Sequence, residues 1–190
     1  QLEKQRLLAV CLAWLALEEQ RPAFTVAQME QQVSVNLGGV QWRFRIDRVD
    51  QLRDAKNSIA LFDYKSGKIP SFNNRSVDMP NAQLALYMSA VLDDDSTAPI
   101  AVLGLMSLRS DDLELKGVTE IDFGIGNLTP IAKYNAVADL NQLYAGWREE
   151  LNQLADALAS GEAEPNPSNA NCRYCDYASL CRAHVVQTLP

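Results

Sequence analysis

Residues 39–50 read GVQWRFRIDRVD, and residues 59–67 read IALFDYKSG. In the first stretch Trp42, Phe44 and Ile46 alternate with Arg43, Arg45 and Asp47. In the second, Leu61, Asp63 and Lys65 are set against Phe62, Tyr64 and Ser66. Both have the period-two pattern of a β-strand. Residues 53–58, RDAKNS, are polar and turn-forming, so the two strands should join as an antiparallel hairpin. That pairing gathers Asp47, Asp63 and Lys65 into a compact Asp/Asp/Lys cluster.

Two carboxylates on adjacent strands are hard oxygen donors suited to Mg²⁺ or Mn²⁺, and a cation relieves their mutual repulsion. A neighbouring lysine can orient an attacking water and offset charge developing on a phosphate. The same three residues also suit a plain salt bridge across a strand.

Upstream, residues 2–19 place Leu7, Leu8, Cys11, Leu15 and Ala16 at helical spacing and stop before Arg21-Pro22, which predicts an amphipathic helix with Cys11 as a buried thiol. Residues 24–37 read as a strand, and Gly38-Gly39 provides a tight turn into the Val40 strand. Glu30 on that strand suits either a third acid near the metal or an ion pair with a strand arginine.

Downstream, residues 68–80 (KIPSFNNRSVDMP) are an irregular loop placed to fold over substrate, and residues 81–92 form a helix that carries Gln83 and Tyr87 on one face. Asp93-Asp94-Asp95 reads as a solvated acidic loop and not a metal site. Strands are expected at 99–108 and 113–119, and a glycine-bearing loop at 117–130 without a phosphate-cradling pattern excludes a nucleotide-driven motor. Leu140, Leu143, Tyr144, Trp147, Leu151, Leu154 and Leu158 give the longest helical pattern, 135–160, closed by Gly161. Residues 162–171 are a Pro/Asn-rich linker into Cys172, Cys175 and Cys181, three thiolates suited to iron–sulfur or zinc.

The ordered motifs RIDRVD (45–50), DYKSG (63–67), QLALY (83–87) and Cys172-x2-Cys175-x5-Cys181 resemble the RecB-like branch of the PD-(D/E)XK nucleases. They look closest to the C-terminal nuclease domain of AddB-type helicase-nucleases and related bacterial DNA repair proteins, over about residues 14–184. The resemblance implies an α/β fold, a restriction-endonuclease-like core with a mixed central sheet flanked by helices. It divides the chain into a nuclease core, 1–161, and a linker with a cysteine-rich tail, 162–190, packed on the same domain.

It further implies metal-dependent hydrolysis of DNA phosphodiesters, as the exonuclease module of a helicase-nuclease or repair protein acting on single-stranded ends. A catalytically inactive DNA-binding scaffold of the same fold is the alternative. Asp47, Asp63 and the Tyr64 carbonyl would bind Mg²⁺ or Mn²⁺, Lys65 would be the catalytic lysine, and Gln83 and Tyr87 would complete the site. Cys172, Cys175 and Cys181 would hold a [4Fe–4S] cluster in a full-length parent, with zinc the second choice and a helicase-like domain or subunit as partner.

Two features depart from the family pattern. Many relatives carry a histidine before the first catalytic strand, whereas the only histidine here is His184. The cluster's usual first cysteine has no counterpart, leaving Cys11 or His184 as the in-chain candidates for a fourth ligand.

Seventeen Lys and Arg against twenty-four Asp and Glu give a net charge of −7, the wrong sign for gripping DNA by bulk electrostatics. A local strip of Arg43, Arg45, Arg48, Lys65, Lys68 and Arg75 would have to guide the strand. The length suits one ordinary domain, and no apolar run approaches membrane-spanning length. The start, QLEKQRLLAV, has neither an initiator methionine nor a signal-type stretch, so the sequence suggests an excised cytoplasmic fragment.

Overall fold

The computed structural model describes residues 2–69, 81–92, 98–109, 112–133, 137–162, 172 and 175–181. Six strands form one sheet in sequence order: β1 (Phe24–Leu37), β2 (Val40–Leu52), β3 (Ile59–Lys65), β4 (Ile100–Arg109), β5 (Asp112–Thr119) and β6 (Asn127–Pro130). The β1–β2, β2–β3 and β4–β5 pairs are antiparallel, while β3–β4 and β5–β6 are parallel. Helices α1 (Leu2–Glu18), α2 (Asn81–Leu92) and α3 (Leu140–Ser160) flank this mixed sheet, which is the expected α/β architecture.

The β1–β2 hairpin follows from its turn residues. Gly38 and Gly39 have φ of +56° and +72°, a left-handed pair that closes a two-residue connection without splaying the strands. A parallel partner for β3 requires a crossover, and α2 lies on it between β3 and β4.

Two cores result. Leu61, Leu103, Leu105 and Ile46 pack with Leu84, Tyr87 and Met88 of α2 and with Leu143 and Trp147 of α3. On the other face Phe62, Val102, Met106 and Leu115 pack with Trp14 of α1 and with Phe123 and Ile125. Strand β3 is buried on both sides, and this is why Ile59 to Phe62 form an unbroken apolar run.

Several expectations are corrected. The apolar stripe of α1 is not buried: Val10 and Trp14 pack inward, whereas Leu7 is 50 % and Leu15 54 % exposed, and Cys11 is exposed as well. The 117–130 segment is not all loop, because Asn127 to Pro130 form β6 on the Lys116–Thr119 end of β5. Helix α3 starts at Leu140, where Asp139 caps it by accepting from the Gln142 amide at 2.7 Å. At its other end Gly161, at φ +78°, closes it as expected. The acidic loop 93–95, Arg75 and His184 lie outside the described residues.

Candidate metal and phosphate site

Strict alternation along β2 would turn Asp47 away from Ile46, yet both face α2. Phe44 stacks on the Tyr87 ring at 6.1 Å, and Ile46 packs in the α2-side core. Asp47 Oδ1 lies 3.4 Å from the Tyr87 hydroxyl, and Val49 returns to the same core. The phase therefore shifts between Ile46 and Asp47. The β1–β2 register shows the same break: it runs through Met29↔Arg48 and Gln31↔Ile46 but omits Glu30 and Asp47. Glu30 has φ +51°, a left-handed conformation that a β-carbon makes costly by about 1–2 kcal/mol. Local strain at Glu30 thus accompanies the turning of a carboxylate toward the helix.

Strands β2 and β3 separate just beyond the Arg48↔Phe62 pair. In place of a further rung, the Tyr64 amide donates to Asp47 Oδ2 at 2.8 Å. Asp63, next in β3, is 1 % exposed. The Tyr87 hydroxyl is 3.1 Å from Asp63 Oδ1, so one phenol spans both carboxylates. Lys65 Nζ stands 2.7 Å from Asp63 Oδ2 and donates to Gln83 Oε1. Residues 63 and 65 share a face of β3, and 83 and 87 share a face of α2, so the two short motifs meet across one contact.

Burial pushes the Asp47 carboxyl above the usual carboxylate range; the Tyr64 amide works against this, and the charges of Asp63 and Glu30 add to it. Burial likewise pushes the Tyr87 phenol far up, reinforced by the charges of Asp63 and Asp47. Tyr87 is therefore a proton donor that stays protonated.

The donor set fits a divalent cation. Asp63 Oδ2 is buried and receives no well-directed hydrogen bond, although the Lys65 ammonium is in ionic contact with it. A buried carboxylate oxygen whose contact is ionic, beside a second carboxylate, is a hard donor of the kind a divalent cation takes. Glu30 instead turns its carboxylate to Arg45 at 3.1 Å, the ion-pair alternative for that residue. Among the described residues no three His, Cys, Asp or Glu side chains converge on one point, and Asp47 and Asp63 are the two carboxylates that the Tyr87 hydroxyl links.

Cys175 and Cys181 are exposed and Cys172 is partly exposed, and they form no common ligand set among the described residues.

The basic strip is also partly corrected. Arg43, Arg45 and Lys68 are exposed, but Arg48 is 7 % exposed and belongs to a buried ion network on the α1 side. Arg48 bonds Asp50 at 2.7 Å, Glu18 at 2.7 Å and the Tyr64 hydroxyl at 2.9 Å, and Arg21 joins the same Asp50. Burial works against the Arg48 charge, but its bonds to Asp50 and Tyr64 outweigh it and hold the guanidinium pKa up. For Arg21, burial prevails and the pKa falls. The motif RIDRVD thus serves both faces: Asp47 on the α2 side, Arg48 and Asp50 in a clamp between α1 and the sheet. This clamp was not legible in the sequence, because Arg21, just after α1, meets Asp50 of β2 at a separation of 29 residues that no local pattern reveals.

The model of a family described as the PD-(D/E)XK nuclease superfamily matches residues 1–182. No curated protein matches the chain.

Proposed function

The chain belongs to the PD-(D/E)XK nuclease superfamily, a membership that implies metal-dependent cleavage of nucleic acid, and we propose that it hydrolyses DNA phosphodiesters at the Asp47, Asp63 and Lys65 cluster. The observation that carries this is the Tyr87 hydroxyl within reach of both carboxylates, beside the Lys65 ammonium.

Asp47, Asp63 and the Tyr64 carbonyl would hold Mg²⁺ or Mn²⁺. When bound, the cation would supply Lewis acidity toward the phosphate and acidify the attacking water. Asp47 keeps its orientation through the Tyr64 amide. Tyr87 donates to the carboxylates and leaves their remaining lone pairs directed elsewhere. Gln83 accepts from Lys65 and so fixes the ammonium, which faces charge developing on the phosphoryl oxygens.

We assign the finer role, an exonuclease fed single-stranded ends by a helicase-like partner, on the resemblance of the RIDRVD, DYKSG and QLALY motifs to the RecB-like branch. Cys172, Cys175 and Cys181 take no part in cleavage, and a [4Fe–4S] cluster on them needs a fourth ligand from a longer parent. Among the described residues no helix is long and apolar enough to cross a membrane.

The test is Mn²⁺-dependent degradation of labelled single- and double-stranded DNA by the chain and by Asp63→Ala. Cleavage by the former alone, abolished by chelator, is expected. Equal cleavage by both would put the chemistry elsewhere. A wild-type chain that cuts nothing and gives no Mg²⁺ binding heat would instead be a scaffold of this fold.

A further inference from the structure

A groove of about 550 Å³ opens where the C-terminal ends of β3 and β4 meet the first turns of α1. Its walls include Arg6 and Leu7 from α1, Tyr64 and Lys65 from β3, Ser66 just beyond it, and Arg109 from β4. In a chain of net charge −7, this lining carries three cations and no acidic side chain. The volume lies within the roughly 300–1,000 Å³ span of sites that hold small organic ligands, enough for a nucleotide.

The chemistry of the walls is mixed in a particular way. Arg6 is exposed and chelated by Glu3 at 2.7 and 2.9 Å, an exposed pair that a phosphate can displace at little cost. Leu7 is half exposed on the same wall. Tyr64 is half-buried, and its hydroxyl is held by Arg48, which fixes the ring where it borders the groove. Cations for a backbone beside apolar and aromatic surface for a base are what a single strand requires. A duplex stacks its bases internally and would leave that apolar wall without a partner.

Lys65 belongs to both places: it lines the groove, and its ammonium is 2.7 Å from Asp63. Tyr64 faces α1 while the Lys65 ammonium faces α2, so a strand leaving the groove reaches the carboxylates by passing around the C-terminal end of β3 at Lys65. We propose that this groove holds single-stranded DNA on one side of the scissile phosphate, with Arg6 and Arg109 binding backbone phosphates and Leu7 and Tyr64 walling a base. The assignment rests on the nuclease function proposed above and adds the path of the strand and two residues outside the motifs.

The experiment uses fluorescein-labelled oligothymidylate and fluorescence anisotropy in chelator, so that binding is read without cleavage. Arg6→Glu, Arg109→Glu and their double variant are compared with wild type, with Arg53→Glu, a matched charge change just beyond the end of β2, and with the Lys variants for rescue. Circular dichroism checks that each is folded. The double variant should bind about tenfold or more weakly, and its salt-dependence slope should fall by about 1.4, two contacts at roughly 0.7 each. Lysine at both positions should restore most of the affinity, and in Mn²⁺ the double variant should raise KM with kcat retained. Wild-type affinity and slope in the double variant, a loss no greater than that of Arg53→Glu, or no binding by wild type would overturn the groove. An equal loss on a duplex of the same length would overturn its single-strand assignment. A wild-type chain whose binding depends on Arg6 and Arg109 but which cuts nothing would keep the groove and remove the hydrolysis; normal cutting with unaltered binding would do the reverse.

Discussion

Replacing Asp50 by asparagine should destabilise the fold by about 3–5 kcal/mol, whereas the same change at Asp47, in the same strand and the same motif, should not. The magnitude follows from what each carboxylate holds. Asp50 is 0 % exposed and accepts from Arg48 Nε at 2.7 Å with one oxygen and from Arg21 with the other. The Arg21 side chain is itself fully buried, with Glu18 at 3.2 Å as its other carboxylate. Asparagine returns one acceptor oxygen and presents an NH₂ to the second guanidinium, donor against donor, so a buried cation loses its partner. The stacking of Arg21 over Phe24 at 3.6 Å survives the change and offsets only part of the loss. For a domain of this size 3–5 kcal/mol lowers Tm by roughly 6–20 °C.

Urea unfolding followed by circular dichroism reads the difference directly. Asp50→Asn should lower the midpoint with little change in slope, and the protein that remains folded should still cut DNA. Asp47→Asn keeps an acceptor for the Tyr64 amide and relieves the repulsion with Asp63, so metal-free stability at neutral pH should hold or rise slightly while cleavage disappears. Equal midpoints for Asp50→Asn and wild type, or equal losses in the two variants, would refute the division of the motif between clamp and site.

Lys65→Ala should reduce cleavage at least about 100-fold with Mg²⁺ binding by calorimetry retained, since lysine is not a ligand; retained cleavage would remove it from the mechanism. The raised Asp47 pKa fixes a sign. A carboxyl favoured in its protonated form by folding contributes stability at low pH that is lost as pH rises through its folded value. Metal-free wild type and Asp47→Asn should therefore match in acid, diverge as pH rises from the usual carboxylate range through the raised folded value, and keep a constant gap above it with the variant the more stable. Protons and cation compete for Asp47, so Mg²⁺ affinity should begin to fall at a pH above the usual carboxylate range, and a fall confined to that range would contradict the burial of this group.

The hairpins were legible because alternation, polar turns and Gly38-Gly39 are local signals, and Gln83 and Tyr87 could be paired because residues four apart share a helical face. Strand β6 was not, because four residues of NLTP carry no alternation and extend only by pairing with β5. Nor was the exposure of α1: helical spacing of Leu7, Cys11 and Leu15 says that they share a face, not that anything packs on it.

Short-range periodicity in the sequence marked the strands and helices, and the ordered motifs RIDRVD, DYKSG and QLALY, through their resemblance to a known family, carried the α/β class and the expectation that Asp47, Asp63, Lys65, Gln83 and Tyr87 form one site. Tertiary structure decided the orientation of Asp47 and the separate employment of Asp50. The turn of Asp47 toward α2 depends on a break in pairing with Glu30 on another strand, and the burial of Asp50 depends on Arg21 arriving from beyond α1. Both are consequences of contacts distant in sequence, which no local pattern encodes.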